Sequence, residues 1–352
     1  MKYISQKNEK YHKPSKKTKR HPIFPYFCAM KFKSSCILIA ALAFLAWFPS
    51  CGENKNEKTE NHYVIATLRG PSSMGMLQFI DSVKQMENAN VEIQVFDEPL
   101  QVRKMMLDGS ADFANLPTTM AALLYNKGID YHFAAVPVWG TLYLCGNDST
   151  IQSWDDLKGR KVYLMAKGMT PDVMFRYLMT ENDLKPYEDV DLDYRFPTHI
   201  DLANATMAGR ADLSVISEPY LSMALEKNPS LHILLNLSEE WQKTKGIPLA
   251  ETAFICRAEI AENQKEVVDA VVQAYAKSVD WVNGNVKGAA QLAVKYGIID
   301  DAVAAENSIP RSHLRVAAAK DVQQQIEDYL RVFYELDSQI IGGKMPDAKF
   351  YE

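Results

Sequence analysis

The sequence predicts an α/β fold made of two similar halves, each a mostly parallel sheet flanked by helices. Three observations carry this. Apolar strand patterns alternate with amphipathic helix patterns along most of the chain. A faint self-similarity recurs at about 100 residues. The 352 residues, 47% of them hydrophobic and 24% charged, suffice for about two domains with real cores.

In the first half, residues 63–68 read as a strand, and residues 73–86 as a helix carrying Met76, Ile80, Val83 and Met86 on one stripe. Residues 91–96 alternate as a second strand. Residues 100–107 form a helix ending at Gly109, where glycine takes the left-handed conformation that helix ends favour. Residues 111–115 are a third strand, and Pro117-Thr118-Thr119 opens the next helix. The second half repeats the order, with strands at 161–166, 190–196 and 213–217. Its helix start at Thr170-Pro171-Asp172 combines a capping hydroxyl, a first-turn proline and an acid near the positive end. The repeat is visible where Gly70 is echoed by Gly168, an offset of 98, and Gly109-Ser110-Ala111-Asp112 by Gly209-Arg210-Ala211-Asp212, an offset of 100.

Residues 140–146 and 252–257 are placed to join the halves. Beyond them lies a helical tail with Val268, Val271, Val272, Tyr275, Val279 and Val282 on one helix, and Val322, Ile326, Tyr329, Leu330 and Phe333 on another. A tail packed on the first half makes the chain cross twice, and a double crossing is a hinge. The expected organisation is therefore 62–140 with 252–352 as lobe 1, 147–245 as lobe 2, and 141–146 with 246–257 as the hinge region.

Ahead of the folded part, residues 1–50 carry ten Lys/Arg against the single acid Glu9, a sum of +9 within a formal total of −5. Residues 36–48 are an uncharged apolar run of 13, short of the roughly 20 needed to span a bilayer. Met30-Lys31-Phe32-Lys33 precedes the run and Pro49-Ser50-Cys51 follows it, the order of an export signal with its start at Met30. The segment resembles a bacterial lipoprotein signal, which implies lipidation of Cys51; plain secretion with a free thiol is the alternative. Residues 51–61 then read as a polar tether.

The remaining body carries −14, which argues against nucleic acid, where affinity comes mainly from neutralising phosphates. No His-Glu-x-x-His, Gly-x-Ser-x-Gly or P-loop signature occurs, and His62, His132, His199, His232 and His313 lie apart with no ligand spacing. Neither a catalytic residue, a metal nor a cofactor is expected. Cys145 and Cys256 are either two buried apolar residues or one bridge formed after export.

Ser153-Trp154-Asp155-Asp156-Leu157-Lys158-Gly159-Arg160-Lys161-Val162, then Ala208-Gly209-Arg210-Ala211-Asp212 leading to Glu218-Pro219, then Ile341-Gly342-Gly343-Lys344-Met345-Pro346, resemble in their order a known family. It is the type II periplasmic solute-binding proteins of ABC transporters, in the branch for nitrate, sulfonate, taurine and thiamine precursors. The resemblance runs from Tyr63 to the C-terminus. It implies the two-lobed type II fold with two crossover strands as hinge, and a monomer that captures a small polar or anionic solute and delivers it to an ABC permease. It also implies an extracytoplasmic location, with the lipid on Cys51 holding the protein to the membrane. An enzyme of thiamine-pyrimidine or related cofactor metabolism on the same fold, or a sensory lipoprotein, are the alternatives.

Loops that follow strands and open helices present free N–H groups and partial positive charge. The candidate ligand-binding residues are therefore Arg69, Gly70, Ser72 and Ser73; Asn115, Pro117 and Thr118; and Lys167, Gly168, Met169 and Thr170. Arg69 and Lys167 could pair with an anion, or remain solvated; the hydroxyls could touch ligand, or only cap helices. Glu218 could accept from an amine or aminopyrimidine, and Trp139, Tyr143 and Tyr220 could stack on a planar ligand or serve the core.

Overall fold

A computed structural model describes residues 62–86 and 90–352; the export signal, the tether and Cys51 lie outside the described residues. Eleven strands among these residues form two mixed sheets. They are β1 (Tyr63–Leu68), β2 (Val91–Phe96), β3 (Phe113–Pro117), β4 (Tyr131–Val138), β5 (Leu142–Gly146), β6 (Lys161–Tyr163), β7 (Asp191–Asp193), β8 (Leu213–Ser217), β9 (His232–Asn236), β10 (Thr252–Arg257) and β11 (Leu314–Ala318). The first sheet runs β11-β4-β10-β3-β1-β2 and the second β7-β6-β8-β5-β9.

The internal repeat is visible in this order. β2-β1-β3 and β7-β6-β8 are both parallel triplets, each bordered by an antiparallel strand that arrives from a crossing. That strand is β10 in the first sheet, with Phe254 opposite Asn115, and β5 in the second, with Leu144 opposite Val215. Within the expected hinge region, β5 thus lies wholly in the second sheet and β10 wholly in the first, and the chain passes between sheets at residues 139–141 and 246–251. Gly140 holds φ at 127°, and a Cβ there would collide with Ser238. Only glycine lets the first crossing lie this close to the helix Leu237–Lys245.

The tail packs on the first sheet's side. Helix Lys265–Gly284 lies against helix Leu77–Gln85 and β4, and the Tyr275 hydroxyl donates to the Ser72 carbonyl at 2.8 Å. The helix expected over 73–86 is broken at Met76 into Pro71–Gly75 and Leu77–Gln85. A Cβ on Gly75 would stand 3.0 Å from Val279, so the tail helix presses directly on the backbone at that break. The strand expected over 161–166 stops at Tyr163, because Ala166 turns the chain at φ 52° and its N–H goes to Pro197. The strand expected over 111–115 is displaced to Phe113–Pro117, and Asp112 just before it bonds Val64 of β1 and Arg257 of β10 through its N–H and C=O.

One apolar cluster contains buried side chains of both sheets, among them Ala114 and Phe133 from the first and Val162 and Val215 from the second. The two sheets therefore meet across a seam lined in part by buried apolar side chains. Cys145 and Cys256 are free thiols, each buried in its own sheet, so the unbridged alternative holds. Among the described residues no helix is long and apolar enough to cross a membrane, and no group of three or more His, Cys, Asp or Glu could hold a metal ion.

Candidate functional site

The repeat brings its loops together reciprocally. The segment after β3 meets the segment after β6, and the segment after β1 meets the segment after β8. In the first encounter Thr119 Oγ1 and Thr170 Oγ1, both buried, lie 2.8 Å apart. They start the helices Thr118–Asn126 and Thr170–Glu181, which stand on different sheets, so this hydrogen bond spans the seam. In the second, Gly70 packs on Pro219, with 3.5 Å between a notional Gly70 Cβ and Pro219 Cδ.

Around the Thr119–Thr170 bond several buried polar atoms lack a partner: Thr118 Oγ1, Glu251 Oε2, Tyr329 Oη, Trp241 Nε1 and Ser238 Oγ. Successive contacts connect them. Thr118 N–H donates to the Glu251 carbonyl at 3.0 Å, and the Thr141 hydroxyl donates to Glu251 Oε1 at 2.7 Å, leaving Oε2. Tyr329 faces Glu251 and approaches Thr170 without a well-formed bond. The Trp241 and Tyr329 rings lie 5.6 Å apart, and Ser238 sits against Gly140, next to Thr141. Trp241, Tyr329 and Thr118 are fully buried. Buried polar groups are almost always hydrogen-bonded, so several orphans from both sheets at one seam make it the candidate place for a polar guest. Burial pushes the Glu251 carboxyl up to about 7, against the opposing hydrogen bonds from Thr141.

Glu218, singled out from sequence, is fully buried but committed. Its carboxylate accepts from the Ser222 N–H at 3.1 Å and the Ser222 hydroxyl at 2.9 Å, and Arg311 lies 3.7 Å away. Burial raises it to about 7, outweighing those bonds and the guanidinium. Arg311, in the tail helix Ala302–Arg311, also donates to Ser222 Oγ at 3.0 Å and accepts from the Tyr143 hydroxyl through its carbonyl at 2.8 Å. This group clasps tail to second sheet; it is not an open acceptor.

The other expected residues are dispersed. Arg69 pairs with Asp97, donates to the Gly297 carbonyl, and lines an outer groove of about 380 Å³ with Ile200, Pro219 and Tyr220. Tyr220 stacks on His199 with centroids 6.2 Å apart. Ser73 Oγ is spent capping Gly70 at 3.1 Å, and Ser72, though buried, gives its carbonyl to Tyr275. Asn115 is buried and reaches Thr67 at 3.1 Å while its Oδ1 has no partner; Pro117 ends β3. The Trp139 indole donates to the Arg315 carbonyl at 2.7 Å under the Arg315 guanidinium, so its role is packing. Lys167 lies over the Tyr194 ring at 4.9 Å, Gly168 N–H donates to Asp172 at 2.7 Å, and Met169 is exposed. The seam thus gathers Thr118 and Thr170 of the sequence-derived set and adds Thr119, Thr141, Ser238, Trp241, Glu251 and Tyr329. The nearest available signal for the additions was position, since Trp241 and Glu251 flank the second crossing.

Comparison with known proteins agrees with this architecture. Residues 73–308 match a family model described as the periplasmic substrate-binding protein of a phosphonate ABC transporter. An ABC transporter protein of known structure from Parabacteroides distasonis is 27% identical, with a TM-score of 0.73 over 83% of this chain and 99% of that one. The periplasmic aliphatic sulphonate binding protein SsuA from Escherichia coli, 17% identical, shares the fold with a TM-score of 0.66 over 83% of this chain and 91% of its own. Bacillus subtilis YtlA, named as a binding protein, is 25% identical over 146 residues; that match spans only 42% of either chain.

Proposed function

Because this chain belongs to the family of ABC-transporter periplasmic substrate-binding proteins, we propose that its guest is a small polar solute held between Thr118, Thr170, Trp241, Glu251 and Tyr329. The single observation that carries the site is the convergence of unpartnered buried polar atoms from both sheets. Family membership implies an extracytoplasmic location. Capture is reversible and needs no covalent chemistry. A solute touching both sheets stabilises the closed seam more than an open one, which is the differential affinity that closure requires. The closed form is then what a permease recognises. A lipid on Cys51 holds the protein to the membrane, and release of a Cys51→Ser variant from the membrane fraction tests that anchor.

A thermal-shift screen of sulfonates, phosphonates, nitrate, bicarbonate and thiamine precursors tests the site. A solute at about 100 times its Kd adds about 2.7 kcal/mol to the native state, a readily seen rise in Tm. Trp241→Phe removes one fully buried donor and keeps the ring packing, so the shift is expected to shrink. A stabilising solute whose effect is identical in Trp241→Phe and Thr118→Val would move the site elsewhere.

A further inference from the structure

The orphaned atoms are chemically uneven. Trp241 Nε1 donates only, and the hydroxyls of Thr118, Ser238 and Tyr329 donate or accept. Glu251 Oε2, when ionised, only accepts. No lysine or arginine among the described residues bears on it; its carboxyl meets Thr141, and the titratable groups facing it are Tyr329 and Tyr143.

The basic residues that could have met an anion are engaged elsewhere. Arg69 is held by Asp97 and the Gly297 carbonyl, Lys167 lies on Tyr194, Arg311 is in the Ser222–Glu218 clasp, and Arg176 is bidentate to Asp172 at 2.9 and 3.1 Å. An oxyanion seated here would face the ionised Glu251 carboxylate with no compensating cation, a like-charge contact in low dielectric. A nitrogen donor meets the opposite situation, because an N–H or N⁺–H pointing at Oε2 forms a charge-assisted bond. The Trp241 and Tyr329 rings supply an apolar wall on which a ring or alkyl body can rest, and their faces favour a cation.

Resting on the reading above, we propose that this site selects a nitrogen-bearing solute without net negative charge. Its N–H or ammonium group donates to Glu251 Oε2, its acceptor atoms take the Trp241 N–H and the hydroxyls, and its body lies against Trp241 and Tyr329. With Glu251 ionised, the site therefore discriminates against sulfonates and phosphonates.

The test is isothermal titration, above the pH at which Glu251 ionises, of the folded chain, natural and variant, with four probes that share a phenyl body: benzylamine and benzamidine as nitrogen probes, benzenesulfonate and phenylphosphonate as oxyanions. The expected result is binding of a nitrogen probe, weakened about tenfold to a hundredfold in Glu251→Gln, with neither oxyanion competing. Gln keeps the bond to Thr141, and an unliganded Tm at or above that of the natural chain shows that the variant folds. Failure of both nitrogen probes to bind overturns the inference. Binding of an oxyanion that Trp241→Phe weakens and Glu251→Gln preserves or tightens overturns it while leaving the seam as the site. Binding of a nitrogen probe indifferent to both substitutions overturns the inference and the site together.

Discussion

Replacing Thr170 by valine keeps the shape of the side chain and deletes one hydroxyl, which makes it a clean probe of the seam. Thr170 Oγ1 lies 2.8 Å from Thr119 Oγ1, and the two residues are 6% and 5% exposed, so neither hydroxyl has ready access to water. Thr170→Val leaves Thr119 buried without that partner, at a cost of about 1–3 kcal/mol. The cost is capped by the free energy that holds the seam shut, because an opened seam lets water reach the hydroxyl. Thr119→Val should cost a similar amount. The double variant removes both polar groups at once and should recover most of the loss, since replacing both partners by apolar groups of like shape is nearly neutral. Urea unfolding of the four proteins closes the double-mutant cycle. A coupling energy on the order of 1–2 kcal/mol is expected. Two single variants each within about 0.5 kcal/mol of the natural chain, with an additive double, would refute the reasoning that the unliganded seam is shut and dry.

Two further predictions follow from buried titratable groups. Burial raises Glu218 and Glu251 to about 7, so the folded state binds their protons more tightly than the unfolded chain; their stabilising contribution is complete below about 4.5 and is lost as pH rises towards 7. His199, lowered to about 4 by burial, acts oppositely, contributing fully above about 6.5 and losing its contribution as pH falls towards 4. Two carboxyls outweigh one imidazole, so Tm should be higher near pH of about 5 than near about 8, and Glu251→Gln should flatten the difference; a Tm that rises from 5 to 8 contradicts it. Burial pushes the Cys256 thiol up to about 12 and Cys145 higher still, so on the folded domain both should resist maleimide at neutral pH and react only on unfolding. Labelling of either at the rate of a free thiol would show that its sheet opens far more readily than its burial implies.

The family is stated by the order of short motifs along the chain, and the resemblance read there agrees with the match over residues 73–308. Strands β1, β2 and β8 stand where their apolar patterns put them, as does the helix start at Thr170-Pro171-Asp172, because periodicity is a local property of the chain, whereas the expected capping hydroxyl of Thr170 bonds Thr119 instead. The repeat at an offset of about 100 residues anticipated two equivalent strand triplets. Local pattern failed where a distant element intervened. The break at Met76 is pressed by Tyr275 and Val279, some 200 residues away in sequence, and the early stop of β6 follows a left-handed turn at Ala166.

The site divides in the same way. Thr118 and Thr170 were legible because a hydroxyl at a helix start after a strand is a local signature, and reciprocal placement of the repeats carries two such starts to one seam. Glu218, Arg69 and Trp139 carry equally suggestive side chains, yet Ser222, Asp97 and Arg315 occupy them, and nothing local announces such partners. Glu251, Trp241 and Tyr329 come from a crossing, the helix before it and a distant tail, so only the folded chain brings them together. Sequence alone determined that strands alternate with helices in two matched sets and placed several of them, since those depend on periodicities of a few residues. Which polar atoms are left unpaired was decided by tertiary structure, because whether a donor or acceptor is satisfied depends on what long-range packing sets against it.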